Sequence, residues 1–277
     1  MGVTIADIGL AVKELNLTGR PLCIHSSLRS FGELEGGAAS IIEGLSAEGC
    51  TSLVPAHSDG FLVPPPSEQR PARNGWDYRS SDALPSRGAG LVYTPDSEVV
   101  DRDMGALPAA VLTLPGRCRG DHALNSFAAV GPLARRLISK QRPLDVHGPL
   151  KELAEADGFV VLMGVGPDKM TLIHLAEAMA GRRPFRRWAN GPDGRPMMHE
   201  TGGCSEGFGN LEPILSFHAV TAQVGQSCWR AYPAWSTLEA LVAEIRSRPE
   251  VTHCGDPSCG RCNDAVRGGP IPLDEKG

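Results

Sequence analysis

The chain has 277 residues, a formal charge of −5, and 41% hydrophobic and 21% charged residues, a balance that suits a globular core and excludes a disordered or fibrous chain. The acidic balance argues against nucleic-acid binding, which calls for a basic face, and favours approach of a cationic small molecule. No stretch approaches the roughly 18 apolar residues of a membrane span, and MGVTIADIGLAVKEL lacks the basic start and long apolar centre of a signal peptide. A cytoplasmic protein is expected, its eight cysteines serving as thiols or metal ligands rather than disulfides.

In chain order, PLCIHS at 21–26 reads as a strand, SLRSFGELEGG as a loop, and Ala38, Ile41, Ile42 and Leu45 as one face of a helix. LVPAH at 53–57 is a second strand. The Pro-rich polar stretch from 60 to 90 has no period and is longer than compact domains tolerate without a purpose, so it is expected to cover a substrate site. Helices follow at 106–114, at 132–140 with Pro132 in its first position, and at 149–156 with Pro149 there. FVVLMGV at 159–165 is a buried strand. Segment 181–213 reads as irregular, HAVTAQVG at 218–225 as a strand, and Ser236-x-x-Glu239 as a capping box opening the last helix, with Leu238, Leu241, Val242 and Ile245 inward. Alternating strands and helices mean an α/β fold. Neither a Rossmann nor a P-loop glycine fingerprint is present.

The most informative run is GVGPDKMTLIHLAE at 164–177. Gly166 and Pro167 break the strand, and Thr171 is expected to cap a helix carrying Leu172, Leu175, Ala176 and Met179. His174 then falls in the first turn, where the positive end of the helix dipole favours an uncharged ring able to accept a proton. A packed, purely structural histidine is the competing reading.

Three stretches in order, IHSSLRSFGELEGG at 24–37, DHALNSFAAVGPLA at 121–134 and GVGPDKMTLIHLAE at 164–177, resemble the aminoglycoside 3-N-acetyltransferase family. HETGGCSEGFGNLEP at 199–213, with the cysteine-rich tail at 253–264, resembles an environmental-type subgroup of it. The resemblance implies a single domain over 1–277, with a mixed central sheet flanked by helices and two close lobes enclosing the active-site cleft. It implies transfer of an acetyl group from acetyl-CoA to the 3-amino group of a 2-deoxystreptamine aminoglycoside, conferring antibiotic resistance, by a monomer or homodimer. By position, His174 matches the catalytic histidine and Glu200 the acid that orients it, with Glu206 in reserve. His25, Ser26, Ser27, Leu28, Arg29, Ser30 and Phe31 match the loop that holds the coenzyme, Ser126 and Phe127 its partner loop, and Gly36 and Gly37 a backbone approach to phosphate. Asp168 falls on an aspartate near the substrate, and Asp59, Asp77, His57 and Tyr78 are further candidates to face the acceptor. Around 167–170 and after 199 the chain departs from the family's more acidic pattern, which leaves room for another small amine as acceptor.

Ordinary turn chemistry explains the serines of the 24–30 loop equally simply. Cys204 in GGCSEGF is a conceivable acyl-carrying nucleophile beside His174. Cys254, Cys259 and Cys262 form a C-x4-C-x2-C cluster suited to a structural zinc, the fourth ligand being His253 or Cys204. A different class of enzyme, a zinc-dependent hydrolase assembled from His25, His57, Asp59, His122 and His174, has no supporting ligand spacing.

Overall fold

A computed structural model of the chain describes residues 2–78 and 86–271. Its strands are β1 Pro21–Ser26, β2 Thr51–Pro55, β3 Leu62–Val63, β4 Cys118–Arg119, β5 Phe127–Val130, β6 Phe159–Met163, β7 Phe185–Asn190, β8 Pro196–Thr201, β9 Val220–Val224 and β10 Ser227–Pro233. Its helices are α1 Ile5–Glu14, α2 Ala38–Ala47, α3 Ala106–Thr113, α4 Ala134–Ile138, α5 Gly148–Glu155, α6 Leu172–Met179, α7 Glu212–Leu215, α8 Ala234–Ser247 and α9 Gly260–Val266.

Seven strands form one mixed sheet in the order β4-β5-β2-β1-β6-β10-β9. β1 lies at its centre, parallel to β2 and to β6, while β5 and β10 flank this trio antiparallel. Burial on both faces explains why β1 and β6 read as unbroken apolar runs. Their alternate residues feed two cores. Leu22, Ile24, Val161 and Met163 pack with α1, α2 and α3 residues such as Ile8, Ile41 and Val111. Cys23, Val160 and Leu162 pack on the other face with α4, α5, α6 and α8 residues such as Leu137, Leu153, Leu175 and Leu241. By the same alternation His25 emerges on the α6 side of the sheet, two residues beyond Cys23. The first core also has an unforeseen element, α1, whose start is fixed by a reciprocal cap: Thr4 N–H donates to Asp7 Oδ2 at 2.8 Å and Asp7 N–H to Thr4 Oγ1 at 3.3 Å.

The segment expected to be irregular, 181–213, instead holds the hairpin β7–β8, which with β3 makes a separate three-stranded antiparallel sheet. β10, absent from the sequence reading, extends the main sheet beyond β6. α8 begins at Ala234 after Pro233, without a side-chain cap, so Ser236 and Glu239 lie inside the helix rather than at its start. α4 begins two residues after Pro132. Among the described residues no helix is long and apolar enough to cross a membrane.

Candidate active site

A cavity of about 730 Å³ opens at the carboxyl ends of the parallel strands, where open α/β sheets place their ligands. Its walls come from Ile24–Arg29 at and beyond the end of β1, Pro55 and His57 at and beyond the end of β2, Val165 after β6 and the 168–171 turn. The 102–108 segment entering α3, together with Ser205 and Phe208 from beyond β8, completes it. Of the described residues in 60–90, none lines this cavity; Leu62–Pro65, Trp76 and Tyr78 line a separate apolar groove with Arg187 and Trp188. Residues of 102–108 line the cavity instead, and residues 79–85 of the stretch expected to cover the site lie outside the described residues.

His174 lines the cavity from the first turn of α6. Thr171 stands at the cap position but makes no capping bond with its side chain, and it lines the cavity instead. His174 Nδ1 lies 2.9 Å from Glu177 Oε2, the side chains being 13% and 10% exposed. Glu177 Oε1 in turn accepts from Arg182 Nη1 at 2.5 Å and from Thr252 Oγ1 at 2.9 Å. With Nδ1 donating to a carboxylate held from its far side, the imidazole is fixed in the tautomer whose lone pair is on Nε2. The ring packs edge-on to Phe208 at 4.8 Å and stacks with His147 at 6.3 Å. Gly202 presses on it: a Cβ there would lie 2.8 Å from the ring's Cδ2 and 2.9 Å from Nε2.

Glu200, expected to orient His174, is engaged elsewhere. Its Oε1 accepts from Arg186 at 2.8 Å and its carbonyl accepts from His122 Nε2 at 2.8 Å. Glu200 sits on β8, bound in register to β7, and its carboxylate pairs with Arg186 across the ladder. Glu206 is exposed. The carboxylate that touches His174 is Glu177, missed although it stands three residues after His174 on the helix already assigned, a spacing that puts the two on one face.

The coenzyme-loop candidates divide. His25, Ser26, Ser27, Leu28 and Arg29 line the cavity. Ser30 turns away, its Oγ donating to Ser27 O at 2.6 Å and accepting from Ser227 Oγ at 2.8 Å, and Phe31 is core, edge-on to Trp229 at 6.1 Å. Ser126 is buried, donating to Ala56 O and accepting from Arg119 Nε; Phe127 is core. Gly36 and Gly37 shape the turn into α2 with positive φ and do not line the cavity. Of the acceptor-facing candidates, Asp168 lines the cavity, paired with Lys169 at 2.9 Å, and His57 lines it too. Asp59 does not line the cavity; it is exposed, its N–H donating to Asp101 Oδ2. Asp77 is exposed, and Tyr78 accepts from Asn74 Nδ2 beside the separate groove.

Two histidines of the cavity wall, His25 and His57, are held neutral. Burial, then the neighbouring His57, pushes His25 down to about 3. Burial, then His174, pushes His57 down to about 4. His122 has both ring nitrogens on backbone, Nε2 against Glu200 O and Nδ1 accepting from the Leu124 and Asn125 N–H groups. With His122 so committed and Asp59 outside the cavity, the five-residue hydrolase set does not converge. Among the described residues, the His, Cys, Asp and Glu side chains close enough to share a metal are Cys204, Cys254, Cys259 and Cys262. Cys204 therefore belongs to the cysteine cluster, which leaves it no role as an acyl carrier. His253 is not part of it, for its Nδ1 accepts from Gly255 N–H and its Nε2 faces Asn263 Oδ1.

A parallel-centred mixed sheet whose strand ends meet a carboxylate-bound histidine defines an α/β protein with a histidine at the wall of its cleft. The chain belongs to the aminoglycoside 3-N-acetyltransferase family, whose model matches residues 23–241. It is 34% identical over 189 residues to aminoglycoside N(3)-acetyltransferase IX of Micromonospora chalcea, covering 66% of this chain and 62% of that one. It is 36% identical over 165 residues to aminoglycoside N(3)-acetyltransferase IV of a Salmonella species, covering 58% and 53%. The matched part thus spans less than two thirds of either relative. The crystal structure of aminoglycoside acetyltransferase AAC(3)-IVa superposes with a TM-score of 0.76 at 26% identity, covering 96% of this chain and 97% of that one. A variant of that enzyme has been solved with gentamicin, with a TM-score of 0.74 at 25% identity over 97% of this chain and 98% of that one.

Proposed function

We propose that the protein transfers the acetyl group of acetyl-CoA to a primary amine, the 3-amino group of a 2-deoxystreptamine aminoglycoside, with His174 as general base. The observation that carries this reading is the 2.9 Å contact of His174 Nδ1 with Glu177 at the wall of a cavity large enough for two substrates. Family membership and the gentamicin-bound relative support the acceptor class.

When bound, acetyl-CoA supplies an activated acyl carbon; the protein supplies position and proton transfer. An ammonium acceptor must lose one proton before attack and a second during it, and Nε2 of His174 takes the second. The imidazolium so formed is balanced by Glu177, which Arg182 and Thr252 hold in place. With one proton of the ammonium released to solvent, the free amine attacks: its nitrogen and the acyl carbon form the new amide bond, the carbon–sulfur bond breaks, and the proton that His174 takes from the nitrogen passes to the departing sulfur, so that CoA leaves as the thiol. The Leu28 and Arg29 N–H groups open a short helix, Leu28–Phe31, and have no partner within it; the two residues line the cavity, and their N–H groups are the donors assigned to the thioester oxygen.

A second acceptor class, a less cationic amine, is favoured by the charges on the wall. Arg29, Arg102 and Lys169 face Asp103 and Asp168 there, and Asp168 already pairs with Lys169. A polycation gains less from that wall than from an acidic one.

Thiol release from acetyl-CoA with a panel of aminoglycosides and simpler amines, with mass-spectrometric identification of the product, tests both. His174→Ala should lower kcat by about 10²- to 10⁴-fold while the thermal midpoint stays near that of the parent. Full turnover by His174→Ala, or free acetate in place of an acetylated amine, would refute the reading.

A further inference from the structure

We propose that Cys204, Cys254, Cys259 and Cys262 bind one structural zinc ion that fastens the back of the active site to the C-terminal segment. The four sulfurs come from three separated stretches, the loop after β8, the turn after α8 and the entry to α9, yet all lie within 4.8 Å of one another. Tetrahedral thiolate coordination at about 2.3 Å from metal to sulfur needs sulfurs somewhat under 4 Å apart, so a small contraction closes the site. None of the four is in a disulfide.

Backbone donors already face the sulfurs. The Cys254 N–H reaches Cys262 Sγ at 3.4 Å, the Glu206 N–H faces Cys204 and the Cys262 N–H faces Cys259. Such N–H groups stabilise sulfur that carries negative charge and have no comparable use against packed neutral thiols. Cys262 is buried, and four thiolates at this spacing without a cation would repel one another strongly. The donor set, all sulfur and tetrahedral, selects zinc over magnesium or calcium.

The placement gives the ion a task. Gly202, two residues before Cys204, presses on the His174 ring, and Phe208, four residues after it, packs edge-on to that ring. Thr252, two residues before Cys254, donates to Glu177, and the Pro249 carbonyl accepts from Arg182. One ion thus ties together the two strands of chain that brace the histidine and its acid. The binding site itself stands whether or not the acceptor has been named correctly.

Elemental analysis of the full-length protein, purified without added metal and washed with a mild chelator, should give about one zinc per chain. Titration with an organomercurial should release that zinc in step with modification of four thiols. Cys259→Ser, a change at a half-buried ligand, should lose the zinc, whereas His253→Ala should keep it. Cobalt exchanged into the site should show the intense visible bands of a tetrahedral tetrathiolate. If Cys259→Ser fails to fold, the stoichiometry of thiols to released zinc in the parent decides alone. Metal-free protein with four freely reactive thiols, two disulfides in place of a metal, iron in place of zinc, or zinc retained by Cys259→Ser would each overturn the proposal. Acetyl transfer is not read in any arm, so a wrong acceptor would leave these results unchanged.

Discussion

His174 depends on an acid that is itself heavily engaged. Glu177 spends one oxygen on the imidazole and the other on Arg182 and Thr252, so its charge is fixed in position before any substrate arrives. Glu177→Gln keeps the shape but removes the charge that balances an imidazolium, and kcat should fall by about 10²-fold or more, with a smaller loss of stability from the unpaired, buried Arg182. Glu200→Gln removes charge from the Arg186 pair on the β7–β8 ladder and from the contact with the Val146 N–H, none of which touches His174; its kcat should stay within about a factor of three of the parent's. Steady-state kinetics on the two variants side by side distinguishes the acids. Equal losses, or a loss confined to Glu200→Gln, would contradict the geometry.

At the scale of elements, the turn from β6 to α6 controls where His174 points. Gly164 has φ of 67°, and a Cβ there would fall 2.0 Å from Ser30 Oγ and 3.0 Å from Ser227 Oγ, so the turn is packed against the short helix that follows β1. Gly164→Ala should therefore destabilise by roughly 2–4 kcal/mol, through backbone strain and the broken Ser30–Ser227 contact, seen as a lower denaturant midpoint at unchanged slope. The same elements were the legible ones in the sequence, since β1, β6 and α6 carry unbroken apolar runs or a helical period that local chemistry sets. β7 and β8 were hidden because FRRWAN and PMMHET pair charges across a ladder, Arg186 with Glu200, and so look like surface coil. β10 was hidden because Arg230 interrupts SCWRAYP; its charge is met by Glu212 at 2.7 Å and the Val165 carbonyl at 2.9 Å, partners a local reading does not contain. Glu177 was missed for another reason: the acid was placed by position in the family, at Glu200 with Glu206 in reserve, and the helix face three residues beyond His174 was left unread.

Across the whole molecule the histidines act together on stability. Five of them, His25, His57, His122, His147 and His199, are pushed below the ordinary imidazole range, with burial the leading cause for each. His25 and His122 reach about 3 and His57 about 4, against 6.5 for a free imidazole. The unfolded chain therefore takes up protons first as pH falls, and the state that binds more protons gains from acid. The stabilisation these neutral rings contribute is present in full above about pH 6.5, and it is lost as pH falls from there toward the folded values of about 4 and about 3. Each fully buried ring accounts for on the order of a few kcal/mol over that window, so a fold of ordinary marginal stability should not survive to its lower end. Thermal unfolding followed from pH 7.5 to about pH 4 should show a falling midpoint beginning near about pH 6.5, well before most carboxylates titrate. His57→Gln, which cannot take up a proton, should flatten the upper part of that slope. A midpoint level down to about pH 5 would mean that these rings are charged or solvated in the fold, contrary to their burial.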